Sequence, residues 1–169
     1  MGRRILVLPY DREWKQNFLA IQKELSCALG DLAVSIEHVG STSVEGLAAK
    51  PIIDIDVVVK PGDVAPAIKA LATIGYRHEG NLGIDGREAF DYEGKKLLPD
   101  HHMYVCPQDS PELKRHLAFR DYLRKHPEAV TEYGKVKLEA AALYPDDIDG
   151  YIRHKSPVIE KIYREIGLL

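Results

Sequence analysis

Asp54 and Asp56 flank one isoleucine inside the run Ile52 to Val59, whose other residues are all isoleucine or valine. A run of that composition reads as a strand, and alternation puts both carboxylates on one face. On an otherwise apolar strand the two charges repel one another and lose hydration unless a cation sits between them. Oxygen-only ligands of this kind suit magnesium or manganese, which makes Asp54 and Asp56 the candidate metal ligands. Ser41 lies 13 residues before Asp54 in a small-residue turn, Gly40-Ser41-Thr42-Ser43. Glycine lets the backbone approach a ligand closely, so the amides and the Ser41 hydroxyl of this turn can face phosphate oxygens. Asp-x-Asp alone is ordinarily a solvated strand face, and Gly-Ser alone is ordinarily a turn. At this spacing, around so apolar a strand, they point together to a metal site beside a phosphate site.

The elements that must position these residues can be read from periodicity. Asp11 caps a helix with Trp14, Phe18, Ile21, Leu25 and Leu29 at helical spacing, and Gly30 ends it. Leu32 to Val39 and Ile52 to Val59 are expected as two central strands, joined by the turn, a short helical turn around Val44 to Leu47, and Lys50-Pro51. Val64 to Ile74 reads as a helix with Ile68, Leu71 and Ala72 inward. Tyr76 to Glu79, Arg87 to Tyr92 and His101 to Cys106 form a meander of short strands at the sheet edge. Ser110-Pro111 opens a helical region. A further helix starts near Pro127, with Val130, Tyr133, Val136, Ala140 and Leu143 apolar, and ends at Tyr144-Pro145. Ser156-Pro157 is expected to open the last helix, which carries Val158, Ile159, Ile162, Tyr163 and Ile166.

With 169 residues, 45% of them hydrophobic, the chain has enough apolar side chain for one domain with a core. A net charge of −3 and no basic arm argue against bulk nucleic-acid binding. The apolar run Ile5 to Leu8 is too short for a membrane span or a signal peptide, so a cytoplasmic protein is expected. Cys27 and Cys106 show no metal-binding spacing and read as small core residues.

Gly-Ser followed by Asp-x-Asp resembles the pattern of the polymerase-beta-like nucleotidyltransferases. The run from Glu37-His38-Val39-Gly40-Ser41 through Lys50-Pro51-Ile52-Ile53-Asp54-Ile55 is similar to the hallmark segment of the GrpB family within that superfamily. Trp14 and Phe18, His101 to Val105, His116 to Leu123, Tyr151 and Lys155-Ser156 extend the resemblance over almost the whole chain. It implies an α+β fold, a nucleotidyltransferase-like mixed sheet flanked by helices, with a core over about 1–109 and a helical C-terminal segment over about 110–169. Related domains fused to dephospho-coenzyme A kinases hint at nucleotide-linked metabolism.

The resemblance implies a metal-dependent nucleotidyltransferase using Mg2+ or Mn2+. A nucleoside triphosphate is held by Gly40, Ser41, Thr42 and Ser43, with Lys50 and Arg87 as phosphate partners, and the acceptor is a small molecule. Asp54 and Asp56 are the catalytic carboxylates. A third carboxylate, usual in active members, is missing from the strand His101 to Val105. His102 is the expected replacement as base or ligand, because His101 shares its face with the apolar Met103 and Val105. Arg120 reads as part of a solvated helix face. Asp100-His101-His102 also spells a short phosphoesterase motif, but the other aspartate motifs of that family are missing. The alternative function is a nucleotide-binding module without turnover.

Overall fold

The computed structural model describes residues 4–93 and 98–169. Its centre is β2 (Ile53–Val59), held between β1 (Ser35–Val39), antiparallel to it, and β5 (His101–Pro107), parallel to it. The antiparallel strands β4 (Glu88–Tyr92) and β3 (Tyr76–Gly80) complete a five-stranded sheet in the order β1-β2-β5-β4-β3. Alternation divides β2 cleanly. Ile53, Ile55, Val57 and Val59 are buried under α1 (Glu13–Leu29) and α2 (Val64–Ala72), where Trp14, Phe18, Ile21, Leu25, Ala67 and Leu71 meet them. Asp54, Asp56 and Val58 face the other way, beside His102, Tyr104 and Cys106 of the neighbouring β5.

That second face is roofed by helices. Val58 and Cys106 pack against Leu113 of α3 (Pro111–Lys125). Val44 and Leu47, just after the Gly-Ser turn, pack against Leu123, Val130, Tyr133 and Ile162, which tie the turn to α3, α4 (Pro127–Leu143) and α5 (Ile148–Glu165). The caps explain where these helices begin. The Ser110 hydroxyl accepts from the Leu113 amide at 3.2 Å with Pro111 at the first helical position, and the Asp147 carboxylate accepts from the Gly150 amide at 3.1 Å.

Several expectations are corrected. β1 lies at the sheet edge and starts only at Ser35, because Gly30–Leu32 form a 3-10 turn. The helical turn of the β1–β2 connection falls on Ser41–Ser43 instead of Val44 to Leu47. In α2 the inward small residue is Ala67, while Ala72 is exposed, and in α4 Leu143 is exposed. Ser156-Pro157 does not open a helix: the Asp147 cap starts α5 earlier, Pro157 sits inside it, and Ser156 Oγ donates back to the Ile152 carbonyl at 2.6 Å. Cys106 is buried, but Cys27 is exposed on the outer face of α1. Among the described residues no helix is long and apolar enough to cross a membrane.

Candidate functional site

Gly40 has a φ of 72°, and a Cβ placed there would run into the Asp54 carboxylate. Glycine is therefore demanded twice, by the left-handed backbone and by the approach of turn to carboxylate. The 3-10 turn that follows is fixed from several sides. Ser43 Oγ donates to the Gly40 carbonyl at 2.5 Å, and Arg124 of α3 donates to the Ser43 carbonyl through Nε and Nη2 at 3.1 and 2.9 Å. Thr42 Oγ1 shares a hydrogen bond of 2.9 Å with His38 Nε2, and the His38 ring stacks on Phe18 at 4.6 Å between centroids. Burial, then Arg124 and Arg120, lower the His38 imidazole to about 4, so it is neutral at pH 7.

Asp56 is fully buried. Its Oδ2 lies 2.6 Å from His116 Nδ1 on α3, and His116 Nε2 lies 3.0 Å from Glu112 Oε1 one turn earlier. Its Oδ1 is buried without a hydrogen-bond partner. Burial pushes the Asp56 carboxyl up, against the pull of His116. Burial would lower His116, but the two carboxylates outweigh it and the imidazole is raised. The group of three thus favours retention of a shared proton. Asp54 stands at the mouth of the site, its side chain 36% exposed, with Oδ1 3.4 Å from His102 Nδ1. The Asp54 carboxylate raises His102 above the usual histidine range against the effect of burial.

The donor set fits a divalent cation in part. The unpartnered Asp56 Oδ1 and the accessible Asp54 lie on one strand face and supply hard oxygen ligands. Among the described residues no group of three or more His, Cys, Asp or Glu side chains is arranged to hold a metal ion. Glu37 faces Asp56 in register across β1, yet its carboxylate is 3.1 Å from Arg120 Nη1. Phosphate oxygens and water would have to complete the coordination.

A cavity of about 160 Å3 opens beside Asp54, lined by Ser41, Thr42, Lys50 and His102 and by two lysines from the helical segment, Lys137 and Lys155. Lys137 Nζ donates to Ser41 Oγ at 2.5 Å and lies 4.7 Å from the centre of the Tyr133 ring. Burial, then Lys155, lower Lys137 to about 7, and burial, then Lys50, lower Lys155 to about 8.

The structure thus brings Ser41, Thr42, Lys50, Asp54 and His102 to one cavity, with Gly40 and Ser43 shaping its turn and Asp56 behind it. His101 points to the other face, bonded to the Tyr76 hydroxyl at 2.6 Å. Arg87 stays outside the cavity, its guanidinium 4.4 Å above the ring of Tyr104, the register partner of Asp56. Sequence reasoning missed His116, Lys137 and Lys155 as site residues. It also took Arg120 for a solvated residue, whereas its side chain is 11% exposed and holds Glu37 and the His38 carbonyl. The spacing of Glu112, His116 and Arg120, four residues apart each time, was the available signal that one face of α3 turns toward the sheet.

A mixed sheet with a Gly-Ser turn set against two strand aspartates is a nucleotidyltransferase-like architecture. The Cid1 poly(U) polymerase, solved with MgGTP bound, superposes with a TM-score of 0.55 over 77% of this chain and 42% of that one, at 11% identity, a likeness of fold alone. The chain belongs to the GrpB family, whose description, GrpB protein, matches residues 4–165. The crystal structure of the conserved protein GrpB from Enterococcus faecalis is 37% identical, with a TM-score of 0.81 over 95% of this chain and 96% of that one. UPF0157 protein YqkA of Bacillus subtilis is 36% identical over 159 residues, 94% of this chain and 46% of the relative, so the chain spans about half its length. Glutamate-rich protein GrpB of Alkalihalophilus pseudofirmus is 32% identical over 168 residues, 96% of this chain and 95% of the relative. A protein named dephospho-CoA kinase in Mycolicibacterium paratuberculosis is 27% identical over 184 residues, 95% of this chain and 45% of the relative.

Proposed function

We propose that the chain is a divalent-metal-dependent nucleotidyltransferase that moves a nucleoside monophosphate from a nucleoside triphosphate to a small-molecule acceptor. The observation that carries this reading is the seating of Gly40 against Asp54: a phosphate-type turn and a metal-type carboxylate meet where no side chain fits between them. Asp54 and Asp56 would hold Mg2+ or Mn2+, which when bound offsets charge on the phosphate oxygens. Ser41 and the amides of its turn hold the triphosphate, with Lys50 beside them. His116 keeps one oxygen of Asp56 occupied and leaves the other free. His102, exposed next to Asp54, takes the proton of the acceptor hydroxyl as its oxygen bonds to the α-phosphorus and pyrophosphate leaves. Core and helical segment act as one unit, since both line the cavity. Across Thr42 a second cavity of about 780 Å3, lined by Phe18, His38 and Arg124, has room for a small acceptor.

A second reading, nucleotide binding without transfer, draws support from the commitment of Glu37 to Arg120, which leaves the carboxylate pair without a third member. Nucleoside triphosphates labelled at the α-phosphate, incubated with metal and a metabolite extract, separate the two. Label should pass to an acceptor in the wild type and fall about a hundredfold or more in Asp54→Asn and Asp56→Asn. Metal-dependent nucleotide binding with neither label transfer nor pyrophosphate release would establish the binding module instead. Equal manganese affinity in wild type and both variants would remove the metal site from Asp54 and Asp56.

A further inference from the structure

We propose that the large cavity across Thr42 is a site for an aryl acid, a small molecule whose ring lies on apolar walls and whose carboxylate is held by Lys15, Arg124 and His38. Resting on the transfer reading, this gives the acceptor its chemical class, an acid that carries its reactive hydroxyl at the far end. The volume of about 780 Å3 lies within the range of ordinary small-molecule sites. Three rings, those of Tyr10, Phe18 and His38, line it with Leu19, Leu123 and Val130. Such walls favour an apolar body whatever its charge. Thr42 lines this cavity and also the smaller one at Asp54, which lets the hydroxyl end of the acid reach the transferring phosphate over a single residue.

The polar groups of the lining select the charge. Lys15 stands one turn before Phe18 on α1, so the two share a helix face, and the Phe18 ring stacks on His38. After burial itself, the Arg124 charge does most to lower His38, which sets the guanidinium close to that same ring. Two cations thus flank one imidazole. Among the described residues neither makes an ion pair, and Glu45 is the only carboxylate in the lining. Arg124 commits Nε and Nη2 to the Ser43 carbonyl and keeps Nη1 without a hydrogen bond among the described residues. His38 is 8% exposed, and among the described residues only its Nε2 is bonded, to Thr42. A neutral imidazole donates through one nitrogen and accepts through the other. A carboxylate at Nδ1 selects the tautomer in which Thr42 Oγ1 donates to Nε2 and Nδ1 donates to the acid. An ammonium group in the same place would face two like charges.

Titration of the full chain by NMR at neutral pH, with neither metal nor nucleotide present, compares para-hydroxyphenylpropionate with its amide and with tyramine, which share the ring. The acid should bind about tenfold more tightly than the amide, and tyramine more weakly than either. Two variants at exposed positions of the rim should move the acid in opposite directions. Lys15→Gln should weaken it about threefold and Glu45→Gln tighten it by about as much, with the amide unchanged in both. Arg124→Gln should erase the preference for acid over amide, and urea unfolding checks that this variant is folded. Equal affinity for acid and amide in the wild type, no binding of the acid, or indifference of the acid to both Lys15→Gln and Glu45→Gln overturns the site. Passage of nucleotide label to neutral or cationic acceptors in preference to acids would overturn it and spare the transfer reading. Charge-dependent acid binding in a protein that transfers no nucleotide would sink transfer and leave the site standing.

Discussion

At the rim of the cavity, Thr42 is held by a histidine that stacks on Phe18 and carries no charge at neutral pH. Because the imidazole is lowered from 6.5 to about 4 by folding, the unfolded chain binds its proton more readily. The associated stability is complete above about pH 6.5 and is lost as pH falls through about 4. Two to three pKa units correspond to about 3 kcal/mol. His38→Gln keeps an amide able to bond Thr42 and removes the titration. Urea unfolding at pH 7 and pH 4 should show a wild-type loss about 3 kcal/mol greater than that of His38→Gln. Parallel pH dependence in the two proteins would mean that His38 does not carry the acid sensitivity.

The elements of the helical segment raise a different question, since α5 runs through Pro157 without ending. A proline there leaves the Arg153 carbonyl without its helical partner and crowds it. Pro157→Ala should raise stability by about 1 to 3 kcal/mol, read from the urea midpoint, with cavity binding unchanged. An unaltered midpoint would show that the helix already absorbs the proline by local bending. The Ser-Pro signal misled because the side-chain cap of Asp147 on the Gly150 amide had begun the helix two turns earlier. β2 was legible because its isoleucines, valines and two aspartates obey one period, and that period also placed the carboxylates together. The edge position of β1 was not legible, since strand order depends on which partner the distant β5 chooses. Lys137 and Lys155 were hidden for a related reason: in sequence they sit among polar helix residues, and only packing of α4 and α5 over the turn encloses them.

On the scale of the whole molecule the cavity at Asp54 is a joint, with the Asp54 carboxylate from the sheet on one side and lysines from the helices on the other. A ligand that spans it should therefore stabilise both layers together. At a concentration of about 100 times its dissociation constant, magnesium nucleotide should raise stability by about 2.7 kcal/mol. Hydrogen exchange should slow in α4 and α5 as well as in β2. Protection confined to β2 would place the nucleotide on the sheet alone. The parallel pairing of β2 with β5 has one more consequence, which concerns the chain while it is still being made. Until α2, β3, β4 and β5 have been synthesised, β2 has only β1 beside it, and its second edge presents a row of backbone N–H and C=O groups with no partner. Another nascent copy could pair there in register. Such a pairing would set Asp54 and Asp56 against their own like charges, a repulsion that disfavours it before these aspartates can serve any site.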